Sequence, residues 1–249
     1  MKLKSSQEII VGCNSVETII ELKQDSVDSL LILDSKSNSR VIKIIQLATS
    51  NGIRITHVGE KFFEDLDDLN HQGIAIICEK KQEENELFLD EMLEKETLLL
   101  LVLDHLTDPH NVGACLRSAA AANVDAVIAP KNRACHLNST VRKVSSGGSE
   151  LIPFIIVTNL VRTLNKLRSH GVEVLGADQL ATQNYADQDL GKKVAFVIGS
   201  EGHGLKRLTS ENCDKLIKID MPGKMESLNT SVTAGILLFE YLRSNKNTI

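Results

Sequence analysis

The stretch LLLLVLDHLTDPHNVGACLR, residues 98–117, decides the fold class. Its first six residues form an unbroken apolar run, short enough for a strand and apolar on both sides. A strand of that kind is buried on both faces, as in a parallel sheet held between two helix layers. Asp108 then stands at a helix cap, with Pro109 in the first turn. Val112, Cys115, Leu116 and Ala119 follow at the spacing of a buried helical stripe. Arg117 is off that stripe, among the small residues Gly113, Ala114 and Ala121. A guanidinium over such an open shelf can grip a phosphate or a polarised oxygen in a fork. A solvated surface arginine fits the same pattern, so this helix alone leaves both accounts standing.

Downstream the alternation continues. DAVIA (125–129), IPFIIV (152–157), VEVLG (172–176), VAFVI (194–198) and LIKI (216–219) have strand character. Helices are expected over 109–122, near 139–145, over 159–169 and from about Leu228 to Leu242. Upstream, SVETIIELK (15–23) and SRVIKIIQLATSNG (39–52) have helical spacing. SLLIL (29–33), IRITHV (53–58) and GIAIIC (73–78) have strand character. Between the two parts lies EKKQEENELFLDEMLEKE (79–96), with eight acids and three lysines and neither Gly nor Pro. It marks a boundary: a solvated linker or short exposed helix, parts of which (Leu87, Phe88, Met92, Leu93) could dock. The expected organisation is a small α/β unit over 1–78, an acidic linker over 79–97, and a parallel-sheet α/β domain over 98–249.

The net charge is −5, but unevenly spread. Residues 1–97 hold 11 Lys/Arg against 19 Asp/Glu, and residues 98–249 hold 17 against 14, so an anionic partner sits more comfortably on the second part. Five scattered cysteines (13, 78, 115, 135, 213) form no CxxC and point to reduced thiols in a cytoplasmic protein. No apolar run approaches membrane-span length, and no membrane association is expected. With six Phe, two Tyr and no Trp, base stacking on exposed rings is a poor fit. An RNA partner would be held through phosphates, shape and polar loops. KNRACHLNSTVRK (131–143), with five basic residues and no acid, is the obvious basic loop.

Ligands of open parallel sheets bind beyond the carboxyl ends of the strands. Three such ends carry unusual residues: DHLTDPHN after 98–103, GSEGHG after 194–198, and DMPGKMESLNTS after 216–219. Ser227, Asn229, Thr230 and Ser231 exceed what one helix cap requires. The glycines of 199–204 let backbone approach a ligand closely, but they form neither GxGxxG nor a phosphate-binding GxxxxGK[ST]. His105, Asp108 and His110 straddle a helix start without a HExxH register, so no metal is expected. The lack of a GxSxG elbow argues against a serine hydrolase.

Taken together, DPHNVGACLRSAAA, FVIGSEGHGL and IDMPGKMESLNTSVTAGILLFE resemble, in order and spacing, the three motifs of the SpoU (TrmH) branch of the SPOUT RNA methyltransferases. VGCNSVETII (11–20) and HQGIAI (71–76) resemble the small substrate-binding domain of its ribosomal members, and 137–160 resembles their middle section. The resemblance implies an L30e-like first domain that docks RNA and a second domain with a C-terminal trefoil knot, an exception to the no-knot rule. It implies S-adenosylmethionine as cofactor, near Gly199, Ile219, Met221, Ser227 and Leu228. Asn111, Arg117, Glu201, Ser227 and Asn229 match the family's polar motif positions, with no metal required, and the small Gly113 would then be room for substrate or cofactor. It further implies a homodimer acting on a guanosine 2′-hydroxyl in the P-site loop of 23S rRNA, free or in an assembling particle. Ser145–Gly148 replaces the family's more usual Ala/Cys/Gly run, a change that bears on packing or substrate fit more than on chemistry. A tRNA ribose methyltransferase and a non-catalytic RNA-binding assembly factor are the alternatives. The first domain weighs against the former and the intact polar set against the latter.

Overall fold

The computed structural model describes residues 3–34, 38–64, 66 and 71–245; the ends of the expected first and last units, 1–2 and 246–249, lie outside them. The first part runs β1 (Gln7–Val11), α1 (Cys13–Lys23), β2 (Val27–Leu33), α2 (Ser39–Ser50), β3 (Arg54–Val58), α3 (Glu60–Glu64) and β4 (Ile74–Glu79). Its sheet has the order β1-β4-β2-β3, with β2 and β3 parallel and β4 antiparallel to both neighbours. One face packs Ile10, Leu30, Ile32, Ile74 and Ile76 against Val16, Ile19 and Ile20 of α1 and Val41, Ile44 and Ala48 of α2. The opposite face closes over Phe63 of α3.

Residues 80–97 hold α4 (Glu86–Leu93). Asn85 caps it by accepting from the Leu87 amide, and Leu89, Met92 and Leu93 are buried while Leu87 is exposed. Ahead of the helix, Glu84 exchanges backbone hydrogen bonds with Phe154 and Ile156 and so covers one edge of the second sheet.

The second part runs β5 (Leu98–Asp104), α5 (Pro109–Ala121), β6 (Ala126–Pro130), α6 (Ser139–Val144), α7 (Gly148–Leu151), β7 (Phe154–Val157), α8 (Leu160–Ser169), β8 (Glu173–Ala177), β9 (Gln183–Asn184), β10 (Lys193–Gly199), α9 (Arg207–Glu211), β11 (Lys215–Lys218) and α10 (Thr230–Ser244). The strand order is β7-β6-β5-β10-β8-β11-β9, and every pairing is parallel. β5 is completely buried and divides its side chains between two cores. Leu99, Leu101 and Leu103 meet α5 and α10 on one face. Leu98, Leu100 and Val102 meet α4 and α8 on the other. The period-two alternation of a strand thus makes two apolar surfaces from one leucine run.

Among the described residues, five elements are not expected from the sequence: β1, α3, α7, β9 and α9. β1 exists because Gln7–Val11 pairs along β4, although only its last three residues are apolar. β9 is two residues long and lacks a pattern to detect. α7 is a single short turn after Gly147, whose φ is 94°. All five cysteines are free thiols, and burial pushes Cys115 up to about 12.

Candidate active site

β5 and β10 are neighbours in register, so Asp104 and Gly199 end their strands side by side. Asp104 is fully buried; its Oδ2 accepts from the Lys206 amide at 2.7 Å, and its Oδ1 pairs with the His105 ring. One carboxylate therefore holds the loops leaving both strands. His105 takes φ 60°, a left-handed turn that histidine tolerates better than branched residues do. Gly199 is obligatory: a Cβ there would lie 2.1 Å from the Gly204 carbonyl carbon. The loop doubles back, with Ser200 and Gly204 exchanging backbone hydrogen bonds, and lifts Glu201 to its exposed tip.

Asn229 joins this loop to the other two. Its Nδ2 donates to Glu201 Oε1 at 2.6 Å and to Asn111 Oδ1 at 2.8 Å. Its Oδ1 accepts from the Ser231 amide at 2.9 Å and so caps α10. Three stretches far apart in sequence converge on one amide. Asn111 is nearly buried in the first turn of α5, where that helix packs on α10. Arg117 lies six residues further along α5, about 9 Å up the axis and about a third of a turn round it. It is exposed and makes no hydrogen bond or ion pair among the described residues.

Of the other expected residues, Ile219 and Met221 line a cavity of about 420 Å³ beyond β11, with Gln179, Leu180, Met225 and the charged Lys218, Asp220 and Glu226. Leu180 and Met225 are 86% and 74% exposed, so the cavity carries exposed apolar side chains beside its charged ones. Its size lies within the range of small-molecule sites. Ser227 and Leu228 lie on the exposed loop between this cavity and Asn229, and neither lines the cavity nor joins the Asn229 hydrogen bonds.

Two sequence expectations are corrected. Gly113 is small for the protein's own packing: a Cβ there would lie 2.7 Å from Val144 Cβ, so α6, not a ligand, fills the space. The basic loop 131–143 is less available than its composition suggests. Arg142 is 2% exposed and turned inward, and His136 pairs with Glu83, leaving Lys131 and Arg133 in solvent. Asp104 was not singled out in the sequence, because DHLTD offers several polar residues and no cue as to which one is buried. Among the described residues, no three His, Cys, Asp or Glu side chains converge to hold a metal ion.

Residues 98–239 match the family model described as the SpoU rRNA Methylase family. The chain belongs to the SpoU rRNA methylase family. Residues 9–84 match the model for the RNA 2′-O ribose methyltransferase substrate-binding domain. A 23S rRNA (guanosine-2′-O-)-methyltransferase RlmB of Pseudomonas aeruginosa is 42% identical, covering 96% of this chain and 97% of its own. Its counterpart in Vibrio parahaemolyticus is 41% identical over 96% and 97%. Among solved SpoU-family structures, the methyltransferase AviRb of Streptomyces viridochromogenes, in complex with AdoMet, superposes with TM-score 0.79 at 19% identity, over 98% of this chain and 92% of that one. That likeness shows a shared fold.

Proposed function

We infer that this SpoU methylase transfers the methyl group of S-adenosylmethionine to the ribose 2′-hydroxyl of a guanosine in 23S rRNA. The observation that carries this reading is the Asn229 amide, which ties the three family motifs into one polar cluster. Relatives with this activity match nearly the whole chain at about 40% identity.

Ile219, Met221 and the backbone at Gly199 would hold S-adenosylmethionine; the cavity offers it apolar side chains beside the charged Lys218, Asp220 and Glu226. When bound, it supplies a methyl group already activated on a sulfonium. The remaining work falls to the chain's own residues. A 2′-hydroxyl is a weak nucleophile, and negative charge grows on its oxygen as its proton leaves. Arg117, a guanidinium with no hydrogen bond or ion pair among the described residues, stabilises that charge and aligns the ribose. A guanidinium whose ordinary pKa exceeds ~12 is unsuited to accept the proton, so its role is electrostatic. Asn111, Glu201 and Asn229 fix the geometry around the ribose, and Ser227 reaches it from the exposed loop.

The finer assignments belong to the same proposal. The target guanosine is in the P-site loop. Residues 1–78 form the L30e-like RNA-docking domain, 79–97 the junction and 98–249 the methyltransferase domain; the separate four-stranded sheet supports that division. The trefoil knot is supported by the route of the chain. It leaves β11 near one edge of the sheet, yet α10 packs back on α5 and β10 at the centre. A cytoplasmic homodimer is supported by Val232 and Phe239, seven residues apart on α10 and 48% and 51% exposed. No helix among the described residues is long and apolar enough to cross a membrane.

The test is methyl transfer from labelled S-adenosylmethionine to unmodified 23S rRNA and to bulk tRNA. Label in 23S rRNA at a guanosine ribose is expected. Label confined to tRNA would overturn the substrate, and cofactor binding without label in rRNA or in precursor particles would overturn the activity.

A further inference from the structure

Two adjacent glycines stand between the first domain and the helix that carries Arg117. Gly147 faces α1: a Cβ on it would lie 2.4 Å from Thr18 Oγ1 and 2.9 Å from Thr18 Cβ. Gly148 faces α5: its Cβ would lie 2.8 Å from the Leu116 carbonyl oxygen and 3.1 Å from Arg117 Cα. One turn of chain thus touches the first domain with one residue and the Arg117 backbone with the next. Its near end is seated on α5 as well, through Val144 against Gly113.

The turn is stiff. Ser145 Oγ donates to the Arg142 carbonyl at 2.7 Å and accepts from the Ser149 amide at 3.1 Å. Ser149 Oγ donates to Glu150 at 3.2 Å, and Arg142 Nε donates to the same carboxylate at 2.8 Å. The first domain is bonded into this ring: Arg142 Nη1 reaches Glu8 at 2.5 Å and the Glu79 carbonyl at 3.3 Å, and Ser15 Oγ donates to the Arg142 carbonyl at 3.3 Å. Arg142, Ser145, Ser149 and Glu150 are all buried. A close-packed, fully bonded element moves as a unit and passes displacement from one side to the other.

We propose that the Ser145–Gly148 turn is a positioning wedge for methyl transfer, coupling the seat of the RNA-docking domain on Gly147 to the placement of Arg117 through Gly148. The wedge rests on the role proposed above for Arg117. A first domain that served only to hold RNA would need no seat on the turn that packs against the backbone of the reacting arginine. Here, displacing α1 by a methyl's width pushes on α5 through two consecutive residues. Gly147 and Thr18 are positioning residues; neither touches the substrate.

The test uses the full chain. Gly147→Ala puts a Cβ against Thr18 and an L side chain at φ 94°. At saturating rRNA and cofactor, kcat should fall about 10- to 100-fold, as sub-ångström misplacement of a reacting group does. Cofactor affinity should hold. Thr18→Gly in the same chain removes the atoms in the way, though not the strain of an L side chain at φ 94°, and should recover part of the loss. Hydrogen exchange gives a second reading that needs no activity: the amides of Leu116–Ser118 should exchange faster in Gly147→Ala, while α10 keeps its protection. It reads the wedge even if 23S rRNA is not the substrate. Should Gly147→Ala fail to fold, Thr18→Leu presses on the turn from the other side and is held to the same expectations. A change confined to KM for rRNA, no rescue by Thr18→Gly, or unaltered exchange in α5 would each overturn the wedge.

Discussion

Arg117 and Arg142 lie in the same domain, and both belong to stretches that the sequence marks as basic or functional. Arg117 is exposed on the second half of a rigid helix and has no partner among the described residues. Arg142 is 2% exposed and bonded to two carboxylates and a backbone carbonyl. Burial works against the charge of Arg142, but Glu150 foremost, with Cys78 and Glu8, outweighs it and holds its pKa above the ordinary arginine range. A guanidinium buried and bonded to two carboxylates and a carbonyl inside the chain is architecture. One with no partner among the described residues, exposed on a packed helix, is available to a substrate.

The difference is sharpest when each arginine is removed. Arg142→Met leaves the buried Glu150 carboxylate without its foremost counter-charge and Glu8 without its partner, and stripping one partner from such a pair costs ~3–5 kcal/mol. Urea denaturation should show that loss, and adding Glu150→Gln should cost less than the sum of the two single changes. Arg117→Ala should move stability by no more than about 0.5 kcal/mol, as for a surface change. Its cost should appear in methyl transfer instead, about 100- to 1000-fold in kcat, the range for removing one preorganised charge-stabilising donor. Arg117→Lys should recover little, because an ammonium lacks the planar fork. An Arg142→Met chain as stable as wild type, or an Arg117→Ala chain with undiminished kcat, would erase the contrast.

The parallel sheet was legible because its strands are continuous apolar runs bounded by polar loops, and LLLLVL alone forces two helix layers. The polar residues of the three loops were legible as unusual, and Asn111, Glu201 and Asn229 do meet. What stayed hidden depends on contacts across long sequence separations. Arg142 reads as one more cation in a basic loop, since its partner Glu8 is 134 residues away. Gly113 reads as room for a ligand, since nothing local announces that Val144 fills it. Gly147 and Gly148 read only as a departure from the family's Ala/Cys/Gly run, although each is small for a different neighbour on a different side. Local pattern reports which residues face a core; it cannot report which core, or whose charge waits there.

Smaller effects refine the same contrast. Asn229 belongs to both kinds of region, as helix cap and as site residue. Asn229→Ala should lose about 1 kcal/mol of stability through the cap and should also lower kcat. Asn229→Ser, which can cap α10 but reaches less far toward Glu201, should restore stability and leave the kinetic defect. If stability and rate recover together, the two roles of Asn229 are one.

The gentlest probe is pH at the junction between the domains. Burial lowers the pKa of His136, but its hydrogen bonds to Glu83 and the Lys131 carbonyl outweigh this and raise it above the usual histidine value. A raised folded-state pKa means the folded protein binds the proton more tightly than the unfolded chain does. The resulting stabilisation is complete below the unfolded value of about 6.5 and fades as pH rises through the folded one. The stability difference between wild type and His136→Gln should therefore be larger near about pH 5.5 than near about pH 8.5. Because His136 is partly exposed, salt should shrink that difference. The buried Arg142–Glu150 pair lies out of reach of such screening, so the difference between wild type and Glu150→Gln should barely respond to added salt. A His136 contribution as indifferent to salt as that of Glu150 would mean that the whole junction, and not only its arginine, is sealed from solvent.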